Sequence, residues 1–516
     1  MEERQPVAQM RGIMKSFGLK IANDHTDLDI YKGEILAILG ENGSGKTTLM
    51  NMLAGIYFPD AGKIYINGEE VVISSPRDAF KYGIGMVHQH FKLVDVLTAT
   101  ENIILGLPGK LNIKEAQEKI SEICDKYGFE IDLNQKIYNM SVSQKQTVEI
   151  VKVLYRGASI LILDEPTAVL TPQETEKLFN VIRNMKNDGK AIIIITHKMH
   201  EVESISDRVA VLRKGEYVGS LMTKDTNATE MTNMMVGHQI SLNIDRPDPV
   251  NPKDRIVVKN LSVRSMDGIL KLDDVSFTAK SGEILGIAGI SGCGQKELLE
   301  AIVGLQPVEN GDISYIEDDG TEKKILGLEP RDIEKLGIVL SFVPEDRLGM
   351  GLVGSMDLTD NMMLRSYRKG ITDFTDRKTP KKLAGEVVSE LEVVTPNLET
   401  QVSRLSGGNV QKILVGREIA NTPSVLLTAY AVRGLDINSA YAIYDLINQQ
   451  KKKGVAVIFV GEDLDVLLEL SDRILVLCSG KVSGIVDARS TDKNTIGLMM
   501  TKIDKKGEGE VNSENN

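Results

Sequence analysis

GEILAILGENGSGKTTLMNMLAG, from Gly33 to Gly55, sets the apolar run Ile35-Leu36-Ala37-Ile38-Leu39 directly before Gly40-Glu41-Asn42-Gly43-Ser44-Gly45-Lys46-Thr47 and a helix-forming run after it. The octet has the spacing GxxxxGK followed by a hydroxyl residue, and it lies between a strand and a helix, as its chemistry requires. Gly40, Gly43 and Gly45 let backbone N–H groups turn inward around phosphate oxygens, and the helix N-terminus adds its dipole. Glu41, Asn42, Ser44 and Thr48 complete the cradle; Lys46 reaches the terminal phosphates, and the Thr47 hydroxyl is placed to ligate magnesium.

The same stretch recurs. Asp27 to Ile56 is echoed by DVSFTAKSGEILGIAGISGCGQKELLEAIVGL, Asp274 to Leu305, and two further echoes follow in the same order. MSVSQKQTVEIVKVL from Met140 pairs with LSGGNVQKILVGREI from Leu405, and SDRVAVLRKGEYVG from Ser206 with SDRILVLCSGKVSG from Ser471. A repeat of this length is two copies of one domain. The boundaries expected are a first domain at 1–240, a polar, proline-containing linker at 241–254 (SLNIDRPDPVNPKD), a second domain at 255–501 and a disordered tail at 502–516. In each half, continuous apolar strands alternate with helical patterns, which implies an α/β fold with a mostly parallel sheet covered on both faces. A helical insertion separates the phosphate loop from the last catalytic strand. Its first-half stripe is Ile113, Ala116, Ile120, Ile123 and Tyr127, stopped by Gly128, and its second-half counterpart holds Leu383, Val387 and Leu391.

Chemistry gathers at strand ends. Ile160-Leu161-Ile162-Leu163 runs into Asp164-Glu165, where Asp164 would hold magnesium through water and Glu165 would orient or deprotonate the attacking water. Alone, an acidic pair there caps the next helix; beside Lys46 it reads as catalytic. His197 follows Ile192-Ile193-Ile194-Ile195-Thr196 at another strand end, where a terminal phosphate would lie. His25, His88, His90, His200 and His238 read as ordinary satisfied core residues. Gln89, after Ile84 to His88, is neutral and can both ligate and sense magnesium. Phe17, one of ten phenylalanines, precedes the first strand pair and could stack on adenine, with a core role as the other reading.

Composition bounds the rest. A chain of 516 residues exceeds one core, and a net charge of -12 disfavours a nucleic-acid binder. No apolar run reaches the roughly 18 residues of a spanning helix, and MEERQPVAQM lacks an apolar signal core, so a cytosolic location is expected. Cys124, Cys293 and Cys478 form no ligand or disulfide pattern.

Together GENGSGKTT, the glutamine in MVHQHF, LSGGN at Leu405 to Asn409, ILILDEPTAVLT and IIIITHK resemble the ATP-binding subunits of ABC transporters, over nearly the whole chain. The resemblance implies ATP and Mg2+ as ligands and a head-to-tail sandwich formed within one chain. Each ATP would lie between the phosphate loop of one domain and the signature of the other. Ser406, Gly407, Gly408 and Asn409 would then face the ATP held at Lys46.

The halves differ. The second loop, Gly289 to Lys296, has Gln295 in the place of Lys46 and Lys296 in the place of Thr47. Ala429 stands for Asp164, Tyr430 for Glu165, Glu462 for His197 and Glu345 for Gln89, while Val142 and Ser143 replace the signature glycines in the first half. The intact loop would therefore meet the intact signature, and only one ATP site would be catalytic. This asymmetry, with VPEDR at Val343 to Arg347, resembles fused ATPases of ribose, galactose and nucleoside importers; Tyr430, Ala431 and Val432 depart from their usual Gln-Pro-Thr. His90-Phe91-Lys92-Leu93-Val94 resembles the nucleoside branch that works with basic membrane lipoproteins. The resemblance implies an import ATPase at the cytoplasmic face of a bacterial membrane. Its partners would be a homodimer or heterodimer of permease subunits and an extracytoplasmic solute-binding protein, with no nucleic acid. Monosaccharide import is the alternative, ahead of a soluble ABC protein acting on ribosomes or DNA.

Overall fold

A computed structural model describes residues 5–18, 20–89, 91–107, 112–168, 170–196, 198–237, 244–265, 268–290, 292–342, 348, 351–367, 375–419, 423–432, 435, 437–461 and 463–501. The chain divides into two compact units, Met1–Ser241 and Leu242–Asn516.

In the first unit, strand Ile35–Leu39 lies in the middle of a six-stranded sheet. Arg208–Arg213 is parallel to it on one side and Ala191–Ile195 on the other, followed outward by Ile160–Asp164 and Ile84–Val87. Glu216–Met222 closes the near edge antiparallel. Every residue of Ile35–Leu39, Ile160–Asp164 and Ala191–Ile195 is buried, which is why these strands read as unbroken apolar runs. The parallel register sends Leu39, Asp164 and Ile195 to the same sheet end, so the loops after them share one rim.

A second, four-stranded antiparallel sheet, absent from the reading of the sequence, is formed by Lys20–Tyr31, Pro6–Phe17, Ala61–Ile66 and Glu69–Val71 in that order. Its strands are half-buried with several register shifts, so their alternation is too broken to stand out. Helices Ala99–Ile104, Ile113–Tyr127 and Val142–Tyr155 make the insertion around Ile103, Ile120, Cys124, Val148 and Val151. Gly128 caps Ile113–Tyr127 in the left-handed conformation as expected. Ile113, expected in the apolar stripe, is instead exposed at the helix start, and Cys124 takes a buried place in that stripe.

The second unit repeats this plan. Its six-stranded sheet runs Ile338–Phe342, Val425–Ala429, Ala456–Val460, Ile284–Gly289, Arg473–Cys478 and antiparallel Lys481–Asp487. Within the stretch expected as a linker, Ile244 is buried in this unit's core and Arg246 donates to the carbonyls of Leu468 and Ser471. Asn448 and Lys451 donate to the carbonyls of Asp245 and Pro247, so this stretch is a strap on the second unit rather than a free tether. The tail at 502–516 lies outside the described residues, as do His90, His197, His238, Glu345 and Glu462.

Candidate active site

The loop after Leu39 is shaped by two glycines that no other residue can replace without strain. Gly40 has φ 158° and Gly45 φ 98°; an added Cβ would come within 2.3 Å of the Leu212 carbonyl oxygen at the first and 2.2 Å of the Ala22 carbonyl oxygen at the second. Gly45 is the N-cap of helix Lys46–Leu53 and has no side chain to cover the free N–H groups of its first turn, which leaves them for an anion. Lys46 starts that helix, is only 7% exposed, and folds back to donate to the carbonyls of Gly40 at 2.6 Å and Glu41 at 3.0 Å. Ser44 accepts at its carbonyl from Gly215 N–H, fixing the loop on the far strand pair.

The acidic pair closes on this loop. Thr47 donates its hydroxyl to Asp164 at 3.4 Å. Burial pushes the Asp164 carboxyl up to about 6, the neighbouring Glu165 adds to the rise, and Thr47 and Lys46 oppose it. Burial likewise lowers Lys46, offset in part by Glu165, Asp164 and Glu41. Glu165 sits at φ 47°, the left-handed region, just as its strand ends, while its N–H is still bonded to the Ile195 carbonyl at 2.9 Å. That turn swings its carboxylate to the rim, where Gln89 donates to it at 2.9 Å. Residues from two strand ends and one helix start, Gln89, Asp164, Glu165, Lys46 and Thr47, are thus brought together.

A carboxylate raised by burial and by a negative neighbour, with a hydroxyl against it, is a donor set of hard oxygens that suits Mg2+. Among the described residues no group of three or more His, Cys, Asp or Glu gathers as a metal site. A divalent ion here would therefore rest on Thr47, Asp164, Gln89 and phosphate oxygens, as nucleotide-bound Mg2+ usually does.

Phe17 is 45% exposed and meets Tyr57 edge-to-face, with ring centroids 5.3 Å apart, beside the Lys15 ammonium. It is a surface ring, not a core residue. Ser406 accepts from the Asn409 amide at 3.0 Å at the start of helix Gly407–Ile419, and Asn409 accepts from Val394 N–H. In the first unit, Ser141 caps helix Val142–Tyr155 with Gln144 in a reciprocal capping box.

Two supports escaped the reading of the sequence. Gln146 is buried and donates to the Pro166 carbonyl behind Glu165, and Gln411 does the same to Ala431 at 2.7 Å in the second unit. The repeat carries the signal, since both glutamines fall at one register. Glu201 accepts from the hydroxyls of Thr167 and Thr196 and pairs with Lys198.

In the second unit, Gln295 replaces Lys46 in the fold as well as in the alignment: it is buried and donates to the Ile290 carbonyl at 3.3 Å, holding the loop without a charge. Lys296 points away from this role, paired with Glu300 at 3.6 Å and half-exposed. Tyr430 keeps the left-handed turn of Glu165, with φ 58° and its N–H bonded to the Val460 carbonyl.

The sequence model of the ABC transporter family matches residues 23–168 and 272–428. A nucleoside import ATP-binding protein of Lactococcus lactis is 40% identical over 96% of this chain and 98% of its own length. A guanosine import ATP-binding protein of Bacillus subtilis is 40% identical over 98% of this chain and 99% of its own. A glucose import ATP-binding protein of Haloferax volcanii is 38% identical over 96% of both. Among solved structures, an archaeal ribosome recycling factor in complex with a stalk protein covers 95% of this chain and 92% of its own at 17% identity, with a TM-score of 0.62, a likeness of fold alone.

Proposed function

This chain belongs to the ABC transporter family and is one of its import ATPases, and from that premise we propose that it energises the uptake of nucleosides through one catalytically competent ATP site. The observation that carries the catalytic reading is the convergence of Lys46, Thr47, Asp164, Glu165 and Gln89 in the first unit against Gln295, Lys296, Ala429 and Tyr430 at the matching positions of the second. In this reading the loop N–H groups and Lys46 bind the terminal phosphates. Glu165 takes the proton of the attacking water, Gln89 holds that carboxylate, and His197 steadies the terminal phosphate. Mg2+, when bound at Thr47 and Asp164, supplies positive charge against the phosphate oxygens. Phe17 packs against the base.

The signature at Ser406 to Asn409 completes the ATP held at Lys46, and the loop at Gly289 is left with the altered signature at Met140 to Gln144. What supports this pairing is the distribution of defects: each altered segment falls on one combination and each intact segment on the other. Permease subunits and an extracytoplasmic binding protein are the partners, and the cytoplasmic face of the membrane is the place of work.

Nucleosides lead because two relatives at 40% identity are named for nucleoside or guanosine import; a glucose importer subunit at 38% keeps monosaccharides as the second reading. Uptake of labelled guanosine, ribose and glucose is to be compared in cells with and without the gene. Loss of nucleoside uptake alone is expected. Loss of sugar uptake alone overturns the solute and leaves the ATPase standing.

A further inference from the structure

Three residues beyond Gln89, the chain is gripped from the insertion. Lys92 donates its backbone N–H to Glu149 at 2.6 Å and accepts at its carbonyl from the Lys152 ammonium at 3.1 Å. Both side chains stand one turn apart on helix Val142–Tyr155, the helix that opens with the altered signature. Glu149 is 5% exposed, so its carboxylate has left water and depends on the bonds it makes, the Lys92 N–H foremost and the Lys152 ammonium at 3.7 Å behind it. Two residues further on, the buried amide of Asn102 takes both backbone groups of Val94, accepting from its N–H at 2.8 Å and donating to its carbonyl at 3.1 Å.

The second unit is an internal control. Asn361 repeats the Asn102 clamp on Val353, at 2.9 and 3.1 Å. Arg417, at the register of Lys152, donates to the Gly351 carbonyl at 2.9 Å, the counterpart of the Lys92 carbonyl. Glu149, however, is matched by Leu414, a buried aliphatic that can accept nothing. The carbonyl grip and the asparagine clamp therefore belong to the fold of both units, while the side chain that makes the N–H grip at Lys92 has no acceptor counterpart at its register in the second unit.

We propose that Glu149 is a positioning residue: by fixing the Lys92 N–H it ties the insertion helix to the segment that begins at Gln89, and so keeps Gln89 in register with Glu165. It touches no nucleotide. A rotation of the helix is passed to the Gln89–Glu165 contact through the backbone of Lys92, with little slack because both of that residue's polar groups are held. The inference rests on the assignment of Glu165 as the catalytic base, and its test separates the two.

The full-length chain is compared as wild type, Glu149→Leu, which copies the second unit, Glu149→Gln, which keeps an acceptor, and Lys152→Met. Amide hydrogen exchange without nucleotide reads the clamp directly. At Lys92, exchange should speed up about tenfold or more in Glu149→Leu and stay within about twofold of wild type in Glu149→Gln, with the Val94 amide unchanged in both. With MgATP, Glu149→Leu should lower kcat roughly ten- to a hundredfold at a KM within about twofold of wild type, the mark of misplacement rather than lost binding. Glu149→Gln should restore kcat, and Lys152→Met should fall between. Unchanged exchange at Lys92 in Glu149→Leu, or faster exchange with an unaltered kcat, overturns the proposal. If Glu149→Leu fails to fold, Glu149→Met, close to glutamate in length and without a carboxylate to accept the Lys92 N–H, carries the same two readings. Glu165→Gln is the separate control: turnover retained there defeats the active-site assignment whatever Glu149 does.

Discussion

At the scale of single residues, the site is set by where a carboxylate is turned and where it is buried. Glu165 occupies a backbone region that costs a non-glycine residue about 1 kcal/mol or more, and Tyr430 occupies it too, so the turn belongs to the strand end and the chemistry to the side chain. Glu165→Gln should therefore keep the turn and the phosphate cradle and lose turnover by about a thousandfold with ATP affinity nearly intact. Lys46→Ala should weaken binding itself by about tenfold or more. Turnover assays beside equilibrium titration of nucleotide decide both, and normal turnover in the glutamine variant removes Glu165 as the base. Asp164 gives a pH dependence of known sign. Its carboxyl ordinarily titrates at 3.8 and here at about 6, so between those values the folded chain holds a proton that the unfolded chain has released. Folding stability from this group therefore falls as pH rises through that window. A cation at Thr47 and Asp164 favours the ionised form, so binding of MgATP should expel the proton and weaken by about tenfold per pH unit below about 6. Calorimetric affinities at pH 5 and 7 in wild type and Asp164→Asn check this, since the nucleotide's own titration is common to both. Equal slopes would take Asp164 away from the cation.

At the scale of elements, much of the fold is legible in the sequence because the central strands are buried on both faces and the loops between strand and helix carry glycines that nothing else can replace. Ile35–Leu39, Ile160–Asp164 and Ala191–Ile195 read as strands for that reason, and Gly40 and Gly45 mark the cradle by backbone demand alone. The antiparallel sheet was not legible, since irregular half-buried strands such as Pro6–Phe17 carry too weak an alternation. Of the site, the residues with recognisable chemistry were visible. Glu149, Asn102 and Gln146 were not, because a polar residue inside an apolar helix declares its partner only when the backbone it holds is in place. Two helix starts carry the next expectation. Gly407–Ile419 begins with bare glycines behind a Ser406 that Asn409 supports, whereas Val142–Tyr155 begins with an exposed valine inside a closed capping box. Gly408→Asp should bring a carboxylate against a terminal phosphate and lower turnover by about a hundredfold or more, while Ser143→Asp, an acid in the first turn of a helix, should be tolerated or slightly stabilising. Steady-state ATPase rates compare them directly. Equal damage from both would defeat the assignment of the working site to the second signature.

At the scale of the whole molecule, two copies of one plan have parted in chemistry while keeping their frames: the turn at Tyr430, the loop held by Gln295 and the clamp of Asn361 all survive where the catalytic groups have gone. A half that retained only packing would have no reason to keep Leu405 to Asn409 as well, which supports the proposal that this segment serves the ATP held at Lys46. The means of attachment follows from the surface. No helix among the described residues is long and apolar enough to cross a membrane, and a net charge of -12 disfavours adsorption on anionic lipid. Under the proposal that permease subunits hold the chain at the membrane, attachment runs through protein contacts rather than lipid. The chain produced alone should remain in the supernatant after ultracentrifugation and should not float with vesicles containing anionic lipid. Produced with its permease subunits it should move to the membrane fraction, and strong denaturant, rather than detergent alone, should be needed to separate it from them. Recovery of the chain on vesicles free of permease would show that a membrane contact of its own exists, and would replace docking on protein as the route by which ATP-driven closure reaches the membrane.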